Sequence, residues 1–424
     1  MIANTNCDEF VRTHSAVTRN AFRDMSARLL FALAALHLPA AAARDAVPTY
    51  TIDLDAPPQA RYLHLLPAFN ATVWAFWDRY FARDKLLADA LFLLTDIRGK
   101  EPPEMQAEID GLAAASRLPL KFVQGIQMLY ELQTVMVPVV NLSLAIPHAL
   151  AALNRSSADT KPRGWDALFE RLPWRGPGCT GIIAFNSDDG TVNHARNLDF
   201  TPVEFMKPLT YTAVYTKGGK ELYRAQTMAG YTQAVTGLRR GADGFAVERN
   251  TRFTDHLGGN EQMLRNLLGG RTLNGWSVRQ TLEMCADYAC AVAKLSSVPY
   301  VSTEYAIVSG VRKGTILSRS PDGVAFTQTL GQPNYDERAD YIIMTNFDFF
   351  WRDLREWFDP TGGRLFRPRR LVAQKLLNAS KVLTPQVLFD TINAEGVIAD
   401  TVFQALINVE KDIWNVSQPD LKSK

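Results

Sequence analysis

The chain has 424 residues, 47% hydrophobic and 21% charged, with 46 basic and 44 acidic side chains and a formal net charge of +2. That length supplies two or three domains or one large composite one, with a full core, and the near balance of charge excludes the basic excess expected of a nucleic-acid binder. Four cysteines in so long a chain are too few for a disulfide scaffold, and no CxxC pair suggests a zinc ribbon or a redox motif. No metal site and no cofactor are expected.

Residues 29–43 (LLFALAALHLPAAAA) form an apolar run after Arg28 that ends in alanines and is followed by Arg44 and Asp45. This is the anatomy of a secretory signal peptide, expected over residues 1–43. The run falls short of the ~20 residues of a membrane span and contains His37 and Pro39, so it reads as a leader before an anchor; a buried alanine-rich helix is the competing reading. Residues 1–24 are long and polar for such a leader, which makes Met25 an alternative start. Five N-x-S/T sequons, at Asn70, Asn141, Asn154, Asn378 and Asn415, are candidate glycosylation sites on this route. The expected location is the secretory pathway, in a lysosome-like lumen or outside the cell. Beyond the leader the cysteines are Cys179, Cys285 and Cys290. The last two lie on different sides of one predicted helix and are expected as separate small buried thiols.

Tyr50 to Asp55 alternate like a strand and are stopped by Ala56-Pro57-Pro58. Helical spacing then runs over 66–80, 84–94 and 104–132, with a break near Pro119. Residues 135–178 combine an apolar stretch, a polar NRSSADTKPRG run and a WRGPG end; they are expected to form a linker or flap with a short amphipathic helix near the surface or a lipid. From Cys179 the pattern turns to strands, expected at about 180–186, 191–197, 208–216, 221–228, 230–237 and 243–249. One helix follows from the capping-box spacing Ser277 to Gln280 as far as about 295. Strands resume at 303–309, 314–319, 324–330 and 340–346. Helices are expected over 366–378 and from Thr384-Pro385, before two strands within 400–416. Strands, helices and strands in that order predict layered sheets flanked by helices.

The stretch 178–200, GCTGIIAFNSDDGTVNHARNLDF, carries the chemistry. Asp189-Gly190 between two strands signals a hairpin, and any even-length loop pairs Arg196 with Gly181 or Ile183, on the sheet face of Cys179. A guanidinium beside a thiol biases it toward thiolate, and Asp199, expected just past the strand, could curl back to orient either group. From spacing alone the alternative is an inert core thiol with a surface ion pair.

Cys179-Thr180-x-Ile182-Ile183-Ala184, the hairpin, and His194-x-Arg196-Asn197-Leu198-Asp199-Phe200 resemble the acid ceramidase and N-acylethanolamine acid amidase group, in the cholylglycine hydrolase branch of N-terminal nucleophile hydrolases. So do, in order, Val47 to Pro58, Leu129-Tyr130-Glu131-Leu132, Thr345-Asn346-Phe347-Asp348, and Arg369-Arg370 with Leu377 to Ser380. The resemblance implies an α+β fold, an αββα sandwich with a mostly helical N-terminal segment. It implies self-cleavage between Gly178 and Cys179 into an α chain (44–178, with the insert at 135–178) and a β chain (179–424) that remain folded together. Cys179 would then hold both nucleophile and base, thiol and new α-amine. Arg196 and Asp199 would steady that pair, Asn346 would donate to the oxyanion, and Arg369 would support the site. The implied activity is hydrolysis of the N-acyl bond of a lipid amide, ceramide first and an N-acylethanolamine second, with transient contact at a membrane surface. Remoter alternatives are a non-catalytic lipid-binding descendant and an amidase for a conjugated acid or a lactam.

This chain departs from the group in three places. Where ceramidases read Asn-Glu-Arg-Phe it has Asn250-Thr251-Arg252-Phe253. Asn250 and Thr251 are candidate site supports, and either Glu248 compensates from three residues away or pH dependence and self-cleavage differ. The insert 135–178 has almost no counterpart, and the α segment has no cysteine to link the two chains. Among the remaining residues, His194 is expected in a structural role and Trp74, Phe76, Trp77 and Tyr80 in the core. Phe349-Phe350-Trp351 would form an apolar lip and Arg367 to Arg370 a solvated basic face with one buried arginine.

Overall fold

Apolar residues at every second position give a strand one buried face and near-continuous apolar runs give it two; the strands Gly178–Asn186 and Thr191–Asp199 are buried along almost their whole length, and the chain builds two sheets. The computed structural model describes residues 45–136, 178–253, 259–332, 338–348, 369–398 and 400–419. The expected leader, most of the insert, Asn141, Asn154 and the Phe349 to Trp351 lip lie outside the described residues. The strands are β1 (Asp45–Ala46), β2 (Thr49–Asp53), β3 (Gly178–Asn186), β4 (Thr191–Asp199), β5 (Thr210–Lys217), β6 (Lys220–Met228) and β7 (Thr236–Arg239). They continue as β8 (Phe245–Thr251), β9 (Glu304–Gly310), β10 (Lys313–Ser320), β11 (Gly323–Thr329), β12 (Tyr341–Met344), β13 (Thr401–Asn408) and β14 (Ile413–Gln418). One sheet runs β1-β14-β13-β4-β3-β12 and the other β11-β10-β9-β8-β7-β6-β5-β2.

The helices are α1 (Leu66–Trp77), α2 (Lys85–Arg98), α3 (Pro103–Ser116), α4 (Leu120–Met136), α5 (Val203–Leu209), α6 (Gly259–Leu268), α7 (Asn274–Met284), α8 (Tyr288–Ser297), α9 (Arg369–Ala379) and α10 (Pro385–Asn393). Strand parity sets the layers. Ile182, Ala184 and Ala195 face outward onto Leu377 of α9 and Leu388 of α10. Ile183, Val192, Ile342 and Met344 face inward onto Ile307 and Ile316 of the larger sheet. Helices α7 and α8 cover that sheet's other face. The order helix, sheet, sheet, helix is the expected αββα sandwich, in an α+β fold.

The segment before the insert is mostly helical, as expected, yet it also supplies an edge strand to each sheet. β1 pairs antiparallel with β14, and β2 pairs parallel with β5. Its helices are tied in by buried ion pairs. Glu108 of α3 takes two hydrogen bonds from Arg279 of α7, at 2.5 and 2.8 Å, and one from Arg61 at 2.9 Å. Arg98 donates to the carbonyls of Leu267 and Arg271 as well as to Glu101.

Three expectations fail. The single helix over 277–295 is two, because α7 ends at Met284 and Asp287 caps a new helix by accepting from the Cys290 N–H at 2.8 Å. That break brings the Cα atoms of Cys285 and Cys290 to 5.4 Å, and the two are joined in a disulfide, correcting their reading as separate thiols. The strand expected over 230–237 is shorter and later, Thr236–Arg239.

Glu108→Gln leaves the fully buried Arg279 guanidinium compensated only in part, by Glu283 at 2.8 Å from its Nε. A wholly unpaired buried charge costs about 3–5 kcal/mol, so a smaller but clear fall in the urea midpoint is expected, measured by circular dichroism. An unchanged midpoint would show that the pair is dispensable.

Candidate active site

The hairpin of β3 and β4 turns at residues 187–190, with Gly190 at a φ of +71° and Asp189 Oδ1 accepting from the Thr191 N–H and hydroxyl. The even loop puts Gly181 opposite Arg196 and Cys179 opposite Leu198. Cys179 and Arg196 therefore share a face, as parity required, and Arg196 Nη2 lies 3.7 Å from Cys179 Sγ. The thiol is fully buried.

Four side chains grip Cys179. Its N–H donates to Asn346 Oδ1 at 2.9 Å, and its carbonyl accepts from Arg369 Nη1 at 2.6 Å. Arg369 Nη2 also donates to Asn346 Oδ1 at 2.5 Å, which closes a ring around the residue's backbone. Asn346 Nδ2 donates to the Thr251 carbonyl at 2.8 Å. On the sulfur, the Tyr130 hydroxyl of α4 stands at 3.5 Å.

Arg196 is held by backbone. Nη1 donates to Val235 O and to the Thr236 hydroxyl, and Nη2 to Arg249 O at 3.1 Å. Asp199 is the last residue of β4 rather than a residue beyond it, and it turns to Arg369. Its Oδ2 lies 3.7 Å from Arg369 Nη1, while its Oδ1 accepts from Thr401 at 2.5 Å. Thus Cys179, Arg196, Asp199, Asn346 and Arg369 do meet in one place.

Asn250 and Thr251 point to opposite faces of β8. Asn250 Nδ2 reaches Met344 O at 3.5 Å and its Oδ1 is enclosed without a partner, whereas the Thr251 hydroxyl turns to Thr134 of α4 at 3.2 Å. Glu248 shares Asn250's face, so it cannot occupy the space of a residue at 251. It accepts from His194 Nε2 at 2.8 Å instead. Gly178 pairs with Asp199 in the sheet. Asn70 lies on α1 with its Oδ1 enclosed, Asn378 accepts from Tyr341, and Asn415 is exposed on β14.

Sequence reasoning missed Tyr130 as a site residue and missed Arg249 behind it. The Arg249 guanidinium lies 4.0 Å from the Tyr130 ring centre and donates to Glu131 and Glu304, both at 3.0 Å. Burial alone would lower the pKa of Arg249, but those carboxylates hold it well above its ordinary value. The available signal was Tyr130-Glu131 itself, adjacent residues on a helix that cannot both face the same way.

Charge at the sulfur differs from the simple expectation. Burial pushes the Cys179 thiol up, and the Arg196 guanidinium and Tyr130 hydroxyl pull it down without overcoming that effect. In the unbroken chain the sulfur is a neutral thiol at neutral pH. Guanidinium proximity is outweighed by the complete burial of the thiol.

A void begins at Tyr130. A narrow apolar pocket is lined by Tyr130, Phe76, Leu129, Phe200, Met206 and Met228, among others. It shares Val73, Ile126, Ala229 and Tyr231 with a second narrow pocket bounded by Leu65, Phe69 and Leu112. Phe76 therefore lines a cavity as well as packing in the core.

Comparison with known proteins gives the same direction as the motifs. The family described as the beta subunit of N-acylethanolamine-hydrolyzing acid amidase matches residues 45–76. The chain is 29% identical over 247 residues to the N-acylethanolamine-hydrolyzing acid amidase of Caenorhabditis elegans, covering 58% of each chain. It is 24% identical over 397 residues to the acid ceramidase of Homo sapiens, covering 87% of this chain and 85% of that one. The resemblance to the acid ceramidase and N-acylethanolamine acid amidase group stands. A solved Caenorhabditis elegans N-acylethanolamine-hydrolyzing acid amidase ortholog is similar at 27% identity with a TM-score of 0.46, over 55% of this chain and 93% of that chain.

Because its pKa is raised, the thiol stays neutral through pH 7 and becomes thiolate only as pH climbs past the raised value. Iodoacetamide should therefore leave the unbroken chain unmodified at Cys179 at neutral pH, read by intact mass. Labelling there at the rate of an exposed cysteine would contradict the site as described.

Proposed function

We propose that this chain is a self-processed cysteine amidase that hydrolyses the N-acyl bond of a lipid amide. The single observation that carries the reading is the grip on Cys179: nitrogen on Asn346, carbonyl on Arg369, sulfur between Arg196 and Tyr130 at the head of an apolar void. A packing cysteine needs none of these polar partners.

Scission between Gly178 and Cys179 gives the nucleophile an α-amine about where its N–H now meets Asn346. Such an amine titrates near ~8, so it is ammonium in an acidic lumen. A new positive charge beside the sulfur, together with water reaching the opened site, lowers the thiol that burial had raised. The mature thiol is thereby armed by the cut.

Sγ attacks the acyl carbonyl, the α-ammonium gives its proton to the departing amine, and an acyl thioester remains. Water then attacks the thioester, the α-amine takes its proton, and the fatty acid leaves. Asn346 Nδ2 gives one hydrogen to the Thr251 carbonyl and keeps a second for an oxyanion, while in the resting site its Oδ1 positions the amine. Arg369, fixed by Asp199, holds the backbone of the nucleophile. The chiefly apolar linings of the paired pockets mark the side on which the acyl chain would lie, with widening of the pockets as the site opens.

Ceramide is the preferred substrate in this reading, supported by the alignment with acid ceramidases over 87% of the chain. An N-acylethanolamine is the second reading, supported by the higher identity to the nematode amidase and by the family match at residues 45–76. The leader over 1–43 supports action in a lumen or outside the cell, and no described helix is long and apolar enough to cross a membrane.

Acid-matured protein is expected to release fatty acid from ceramide faster than from N-palmitoylethanolamine, and least from a conjugated bile acid. Cys179→Ala should remain one polypeptide on a denaturing gel and hydrolyse none of them. Lipid binding without hydrolysis of any amide between acidic and mildly basic pH would replace the enzyme by a binding protein.

A further inference from the structure

The mechanism above leaves a buried acid and base unused: Glu248 and His194, both fully enclosed between the sheets. His194 Nε2 donates to Glu248 Oε2 at 2.8 Å, and His194 Nδ1 lies 3.0 Å from the Ser309 hydroxyl. The other carboxylate oxygen, Glu248 Oε1, has no hydrogen bond. It lies 3.9 Å from Arg196 Nε, which has none either. Every other donor of Arg196 is committed to Val235, Thr236, Arg249 or the sulfur. Glu248 is thus the countercharge of the guanidinium that touches Cys179.

Space for it is built into β3. A Cβ at Gly181 would stand 2.6 and 2.8 Å from the two Glu248 carboxylate oxygens and 2.5 Å from Ile307 Cδ1. Gly181 is the cross-strand partner of Arg196 and lies two residues from Cys179 on the same face. The missing side chain is what lets the carboxylate lie against the nucleophile's own strand.

We propose that Glu248 is a positioning residue for Cys179, holding Arg196 in place and limiting how much of its positive charge the sulfur feels, with His194 anchoring the carboxylate and Gly181 providing its room. This rests on Cys179 being the nucleophile. The charged and titratable groups around the sulfur are Arg196 and Asp199 of β4, Tyr130 of α4, Glu248 of β8 and Arg369 of α9. Those facing Glu248 are His194 and Arg196.

The test is the pH dependence of iodoacetamide labelling at Cys179 in the matured two-chain protein. Glu248→Gln removes a negative charge near the sulfur, so the labelling midpoint should move down by about one pH unit. Glu248→Asp keeps the charge and should return the midpoint most of the way to the wild-type value. Gly181→Ala displaces the carboxylate without altering it and should move the midpoint in the same downward direction, which keeps the assignment testable if Glu248→Gln does not accumulate. A midpoint unchanged in either Glu248→Gln or Gly181→Ala overturns the role of Glu248 and leaves the nucleophile reading intact. Amide hydrolysis that survives complete labelling of wild-type Cys179 overturns the nucleophile reading, and this role with it.

Discussion

One residue's backbone organises the molecule. Cys179 sits on β3 in a sheet buried on both faces, and its amide and carbonyl bond to Asn346 and Arg369 instead of lying idle at a strand end. Those partners come from the turn after β12 and the start of α9, so sheet and outer helices must be assembled before the grip exists. The apolar layers thereby decide where each polar atom of the site can go.

Burying so many charges costs free energy unless each is paired, and the chain pairs them in relays. Arg249 joins α4 to β8 and β9 through Glu131 and Glu304, while its carbonyl receives both Arg196 and the Tyr130 hydroxyl. A basic residue on one face of β8 thus steadies the sulfur through its main chain, while its side chain steadies the helix on the other face. Removal of water makes these contacts strong, and it also keeps the unbroken chain's thiol neutral.

Much of this was legible in residue order. Strand parity narrowed the partner of Arg196 to Gly181 or Ile183, of which the structure has Gly181, and Thr384-Pro385 marked a helix start that the structure caps through the Thr384 hydroxyl. Parity failed where chain direction changes. Asp287 ends one helical frame and opens another, and no periodicity shows that this brings Cys285 to Cys290. Contacts between layers were equally hidden: the approach of Tyr130 to the sulfur depends on how α4 lies across the sandwich. The two faces of β8, which send Glu248 and Thr251 apart, follow from alternation alone, so a substitute carboxylate three residues away was excluded by the sequence itself.

The short strands β1 and β2 border the two sheets from the N-terminal side of the proposed scission point. A cut at Gly178 therefore severs a thread already woven into both layers. If the proposed cut occurs, it would act as a ratchet: the two-piece product would be reached only through the one-piece precursor, and halves synthesised apart would each lack the template the other needs. Loss of the mature protein would be repaired by new synthesis rather than by reassembly.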